Sequence, residues 1–145
     1  MGILWTEPAA GSYIGCMSEE YPAEYLEGLR LFNAEDFFES HEVLEDLWTD
    51  THDERRKFYQ GLIQAAVALL HFGNGNLGGA KKVYLTSRKH LEAYQPEFSG
   101  LNVSRFLEDM AYCFQELIDN QEKRPTGIEL QDERIPKISI PGAST

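Results

Sequence analysis

Basic residues and cysteines are scarce in this sequence, and no long apolar run is uninterrupted. Its 145 residues carry 13 Lys+Arg against 24 Asp+Glu, a formal charge of −11. A surface of that sign repels phosphate backbones, so no nucleic-acid partner is expected. Cys16 and Cys113 form neither a metal-ligand spacing nor a disulfide framework, which suits a reducing cytoplasm. The longest apolar stretch, residues 61–72, is interrupted by Gln64 and His71 and is too short to span a bilayer, so no membrane partner is expected either. The first residues lack the basic segment and apolar run of a secretory signal. What is present is 42% apolar and 12% aromatic residues, enough for one folded domain with a real core. These bounds predict a cytoplasmic, single-domain protein.

Punctuation divides the chain into an irregular N-terminal arm (1–20), a helical domain (21–122) and an extended C-terminal tail (123–145). The arm holds Gly2, Pro8, Gly11 and Gly15, and Ile3, Leu4 and Trp5 are its candidate docking residues. Helical periodicity starts at Tyr21-Pro22, with Tyr25, Leu29 and Phe32 on one stripe. Gly28 weakens that helix by roughly 1 kcal/mol relative to alanine, a cost that close approach of a neighbouring helix would offset. A second helix is predicted from about Glu35 to Thr49. The third, about Glu54 to Phe72, is capped by Asp53 and apolar almost all round, as a central helix must be. Gly73-Asn74-Gly75 stops it. Asn76 caps a fourth helix bearing Leu77, Ala80, Tyr84, Ser87, Leu91 and Tyr94. Asn102 caps a fifth, bearing Val103, Phe106, Met110, Cys113, Phe114 and Leu117. Prolines and glycines forbid helix from Lys123 onward, where Ile135, Ile138 and Ile140 form a strip able to pack on the bundle or on a partner. No strand alternation competes in 20–122, so the fold is all-α, with short links making neighbouring helices antiparallel. Residues 19–54 carry a net −12 and residues 55–95 a net +6, which predicts electrostatic attraction between the two halves.

Chemistry concentrates on two helices. On a wheel centred on His41, Phe37, Phe38, Glu45 and Trp48 fall within about 60°, an aromatic face expected to point inward. An unpartnered charge there would cost several kcal/mol, so His41 and Glu45 are expected to pair. On the third helix Gln60, Gln64, Val67 and His71 share one stripe. Folding the helices back sets Glu45 level with Gln60 and His41 level with Gln64, with His71 roughly 10 Å beyond. The segment His41-Glu42-Val43-Leu44-Glu45 is similar to the HExxH zinc motif with its second histidine replaced. It supports a divalent-metal reading with His41, Glu45 and His71 as ligands and Glu42 as the catalytic base. Gly73–Gly78 spells GxGxxG after a helix rather than a strand, which excludes a dinucleotide site. The free N–H groups at the start of the fourth helix, beside Lys81 and Lys82, leave an anion or nucleotide site open. Close packing of Gly78-Gly79-Ala80 explains the same residues without a ligand. Trp48 reads as core or groove lining, Tyr59, Phe72 and Tyr84 as core, Cys113 as a buried thiol, and His52 and His90 as solvated.

The run from Phe37 to Trp48, the run Phe58 to Ala68, and then His71, Asn76, Gly79 and Ala80 resemble the signature of domain of unknown function 309. The resemblance extends from about Tyr25 to Leu91 and departs at Gly78, where a bulkier, often basic residue is expected; this weakens the anion-site reading. It implies a small antiparallel bundle of about five helices with helical-hairpin-repeat-like packing, of bacterial and archaeal distribution, and no established activity. His41, Glu42, Glu45, Trp48, Gln60, Gln64, His71 and Asn76 match its polar and aromatic pattern.

Three readings follow. In the first, the protein is no enzyme and needs no cofactor. It is a binding or structural module in which His41, Glu45, Trp48, Gln60, Gln64, His71 and Asn76 form a buried polar cluster in an aromatic-lined groove that takes a peptide or small-molecule ligand. In the second it is a metal-dependent hydrolase. In the third it binds an anion or nucleotide at the fourth helix. A homo-oligomer through the C-terminal tail is compatible with each.

Overall fold

A computed structural model describes residues 21–142; the docking residues suggested for the arm lie outside them. The structure is all-α: α1 Ala23–Asn33, α2 Phe37–Asp50, α3 Arg55–Gly73, α4 Leu77–Leu91 and α5 Val103–Asp119. Each predicted helix is present, most ends shifting by one or two residues; the fourth stops at Leu91, so Tyr94, expected on its stripe, lies instead in the short 3-10 turn Glu92–Tyr94. A two-stranded hairpin, β1 Glu97–Phe98 and β2 Leu101–Asn102, lies between α4 and α5. It was not expected, because strands of two residues leave no alternation to read. Its turn, Ser99-Gly100, has both residues at positive φ (49° and 73°), as a two-residue hairpin of this hand requires.

The first four helices form two hairpins that repeat one another. Each of the nine buried residues from Tyr25 to Thr51 has a buried counterpart 40 residues later. The links repeat too. Glu35 N–H donates to the Phe32 carbonyl (2.9 Å) and Asp36 N–H to the Leu31 carbonyl (2.9 Å). Forty residues on, Gly75 donates to Phe72 (3.1 Å) and Asn76 to His71 (2.9 Å). Both are Schellman closures, which need a left-handed residue after the helix. Gly75 supplies it at φ 81°, whereas Glu35 adopts φ 64° as a non-glycine. This bears out the hairpin-repeat packing.

Small residues set the spacing between helices. A Cβ added to Gly28 would lie 2.5 Å from Leu44, and one added to Gly61 would lie 2.6 Å from Leu91. In each case a buried serine donates to the glycine carbonyl: Ser40 to Gly28 at 2.8 Å, Ser87 to Gly61 at 2.7 Å. The expected close approach at Gly28 is therefore present. Close packing at Gly78 is not, since a Cβ there would meet open space.

Helix α3 is enclosed by α2 and α4, as its apolar circumference requires. The predicted stripe of α5 is buried in full, and Phe114 stacks on Tyr84 at 4.5 Å. The tail folds back over the bundle. Ile135 and Ile138 join this chain's own core, and Asn33 holds Ile138 by both backbone groups: its Nδ2 donates to the carbonyl (2.8 Å) and its Oδ1 accepts from the N–H (2.7 Å). The isoleucine strip thus packs on the bundle through Ile135 and Ile138.

Candidate functional site

Helix α2 buries Phe37, Ser40, Leu44 and Leu47. This inward stripe is rotated by about one residue from the wheel centred on His41, because Ser40 is a core residue: its hydroxyl is satisfied by Gly28 and its small volume admits the neighbouring helix. The rotation corrects the expected buried pair. His41 is half-buried, Glu45 is exposed, and their Nε2 and Oε1 atoms lie 3.9 Å apart, beyond hydrogen-bond distance. His41 instead uses Nδ1 on the Phe38 carbonyl at 3.2 Å. Phe38, expected to point inward, is 54% exposed.

The helix that follows positions Trp48. Arg56 at the start of α3 donates through Nη1 to the carbonyls of Trp48 (2.9 Å) and Thr51 (3.0 Å), and its guanidinium lies 3.9 Å from the indole centroid. One cation thus satisfies carbonyls at the C-terminal end of α2 and stacks on the ring. Beside it Glu45, Trp48, Gln60, Ile63 and Gln64 line a recess of about 140 Å³ between α2 and α3. The Trp48 indole N–H is buried and has no acceptor among the described residues. Gln64 Oε1 lies 2.8 Å from His90 Nδ1, within hydrogen-bond distance. His90, read from sequence as solvated, is therefore half-buried and ties α4 to the site. The signal that could have found it is its place three residues after Ser87 on the buried side of the fourth helix.

The sequence-predicted residues do not form one cluster. Glu45, Trp48, Gln60 and Gln64 meet at the recess, with His41 one turn along α2. His71 and Asn76 stand together at the far end of α3, their Nδ1 and Nδ2 atoms 3.4 Å apart. Among the described residues no group of three His, Cys, Asp or Glu side chains is arranged to hold a metal ion. His41, Glu45 and His71 are thus not gathered as a ligand set, and Glu42 is exposed on α2. The start of α4 is likewise engaged. Asn76 Oδ1 accepts from Gly79 N–H at 3.1 Å, and Lys81 Nζ donates to the Asn120 carbonyl at 3.0 Å. The cap that the sequence predicted occupies an amide that an anion would need.

Residues 25–83 match the family described as Domain of unknown function (DUF309). The uncharacterised protein YpuF of Bacillus subtilis (strain 168) is 34% identical over 119 residues, covering 79% of this chain and 68% of that protein. The chain belongs to the DUF309 family. An uncharacterised protein of Aquifex aeolicus (strain VF5) is 32% identical over 83 residues, 54% of this chain but 25% of its own length. The DUF309 match runs from α1 into α4, and so includes His41, Glu45, Trp48, Gln60, Gln64, His71 and Asn76 while leaving out His90. No described helix of this DUF309 chain is long and apolar enough to cross a membrane.

Proposed function

We propose that this DUF309 domain is a non-catalytic binding module that receives a peptide in the groove between α2 and α3. The recess beside Trp48 carries the reading. At about 140 Å³ it is smaller than the usual volume of sites that enclose small molecules, roughly 300–1,000 Å³, but it suits one side chain of a longer ligand. Its chemistry is that of a peptide subsite: an apolar floor at Ile63, an aromatic wall at Trp48, and the amides of Gln60 and Gln64 to pair with a backbone. The buried indole N–H lacks an acceptor, a deficit of about 1–3 kcal/mol that a ligand carbonyl would relieve once a shift of the ring uncovers it.

The test uses the Trp5→Phe protein, which leaves Trp48 as the sole indole, against a set of synthetic peptides of varied charge and apolar content. Binding peptides are expected to change Trp48 fluorescence and to shift the backbone amides around Gln60 and Gln64. Trp48→Leu should abolish binding while leaving the helical circular dichroism unchanged. A peptide set that moves neither signal would overturn the reading.

A further inference from the structure

The geometry points to a cationic partner: the groove takes a Lys/Arg-rich protein segment whose apolar side chain seats on Phe38. This deepens the binding reading and rests on it. At the end of the groove opposite Trp48, an open hollow of about 430 Å³ lies over Phe37, Phe38 and Leu70, edged by Asp36, Glu39 and Glu42. Phe38 stands 54% exposed there. The fold does not need it, because the equivalent position of the second hairpin is Gly78, where even a Cβ would meet nothing.

Charge decides the occupant. Acids near a helix N-terminus are stabilised by its dipole, which accounts for Asp36 and Glu39. That effect does not reach Glu42, whose counterpart in the second hairpin is Lys82. Fold and helix end therefore leave the acidity of this face unexplained. Among the described residues no Lys or Arg pairs with Asp36, Glu39 or Glu42; Lys137 is taken by Glu35 at 3.0 Å. A second copy of the chain is disfavoured by mutual repulsion at −11 each. A basic segment of another protein meets both requirements at once. From Ile63 at the recess to Leu70 at the hollow is seven residues of α3, roughly 10 Å, so apolar anchors at i and i+7 of a bound helix match the two seats.

The experiment titrates the protein with three fluorescein-labelled synthetic peptides. One is a Lys/Arg-rich helix former with leucines at i and i+7, one has its basic residues changed to glutamate, and one has its leucines changed to serine. The basic leucine peptide is expected to bind, more tightly at low salt, and to shift the amides of residues 36–42 and 70. Phe38→Ser should weaken it about ten-fold, the scale of a lost apolar anchor. Glu39→Gln with Glu42→Gln should weaken it several-fold and flatten its salt dependence. Equal binding of the acidic and basic peptides, or undiminished binding by Phe38→Ser, would overturn the cationic partner while leaving the peptide reading intact. No binding by any peptide, here or in the Trp48 assay, would remove both. A parent protein that sediments as a dimer and becomes monomeric on Phe38→Ser would assign the hollow to a second copy instead.

Discussion

Glu45 shows what one residue of rotation does to a helix. Its carboxylate is 55% exposed and 3.9 Å from a half-buried imidazole, so it carries little of the fold's stability. Exposed pairs of this kind contribute about 0–1 kcal/mol, and Glu45→Ala is expected to change unfolding free energy by about 0.5 kcal/mol or less in urea titration. Buried titratable groups act in the opposite way. Burial pushes the Cys113 thiol from 9.0 up to about 12 and raises Tyr25 well above its ordinary 10.0. The folded state therefore holds protons that the unfolded chain releases. Their contribution to stability is complete below about pH 9 and is lost as pH climbs from about 9 toward 12. Urea midpoints measured across that range should drop with pH, and Cys113→Ala should remove the earliest part of the slope. Ser40 explains why the wheel misled: counting apolar residues leaves out a hydroxyl that is wholly buried because a glycine carbonyl accepts from it.

Between elements, the two glycine–leucine contacts set how closely helices lie. Alanine at Gly28 or Gly61 gains about 1 kcal/mol of helix propensity and loses about 1–3 kcal/mol to overpacking. Leu44 and Leu91 are each 1% exposed and have nowhere to go, so the packing loss prevails. Both substitutions should lower the melting temperature, and by similar amounts, since each glycine faces the same Ser-and-Leu device. Helix positions, caps at Asn76 and Asn102, and the buried stripes of α4 and α5 were legible because each rests on local spacing. The repeat was not. Over residues 25–51 and 65–91 only Leu29/Leu69, Phe32/Phe72 and Val43/Val83 are identical, so the period of 40 appears in burial and link geometry but hardly in residue identity. The register of the candidate site was also one step short. His41 is absent from the lining of the recess that Gln64 helps to form, although the sequence sets the two level.

On the scale of the molecule, the charge division read from the sequence is real, but among the described residues the local Asp53–Arg55 pair at the boundary (2.9 Å) is the one ion pair it yields between the halves. The salt bridges among described residues are local or reach the tail, and none joins the acids of α2 to the bases of α4. Glu39, Glu42, Glu45, Asp46 and Asp50 instead stand as like-charged neighbours three and four residues apart on one helix, each such pair costing a few tenths of a kcal/mol. Salt should screen that repulsion. Raising sodium chloride from low to physiological concentration is expected to lift the melting temperature by about 2–4 °C by calorimetry, whereas attraction between the halves would lower it.

The Asn33 clamp on the tail grips main chain alone: one amide side chain reads the N–H and the carbonyl of residue 138 and never its side chain. Such a latch is blind to the letter at the position it closes on. Affinity of the tail for its berth is then adjustable at Ile135 and Ile138 without disturbing alignment, so substitutions there should alter how often the strap lifts, not where it returns.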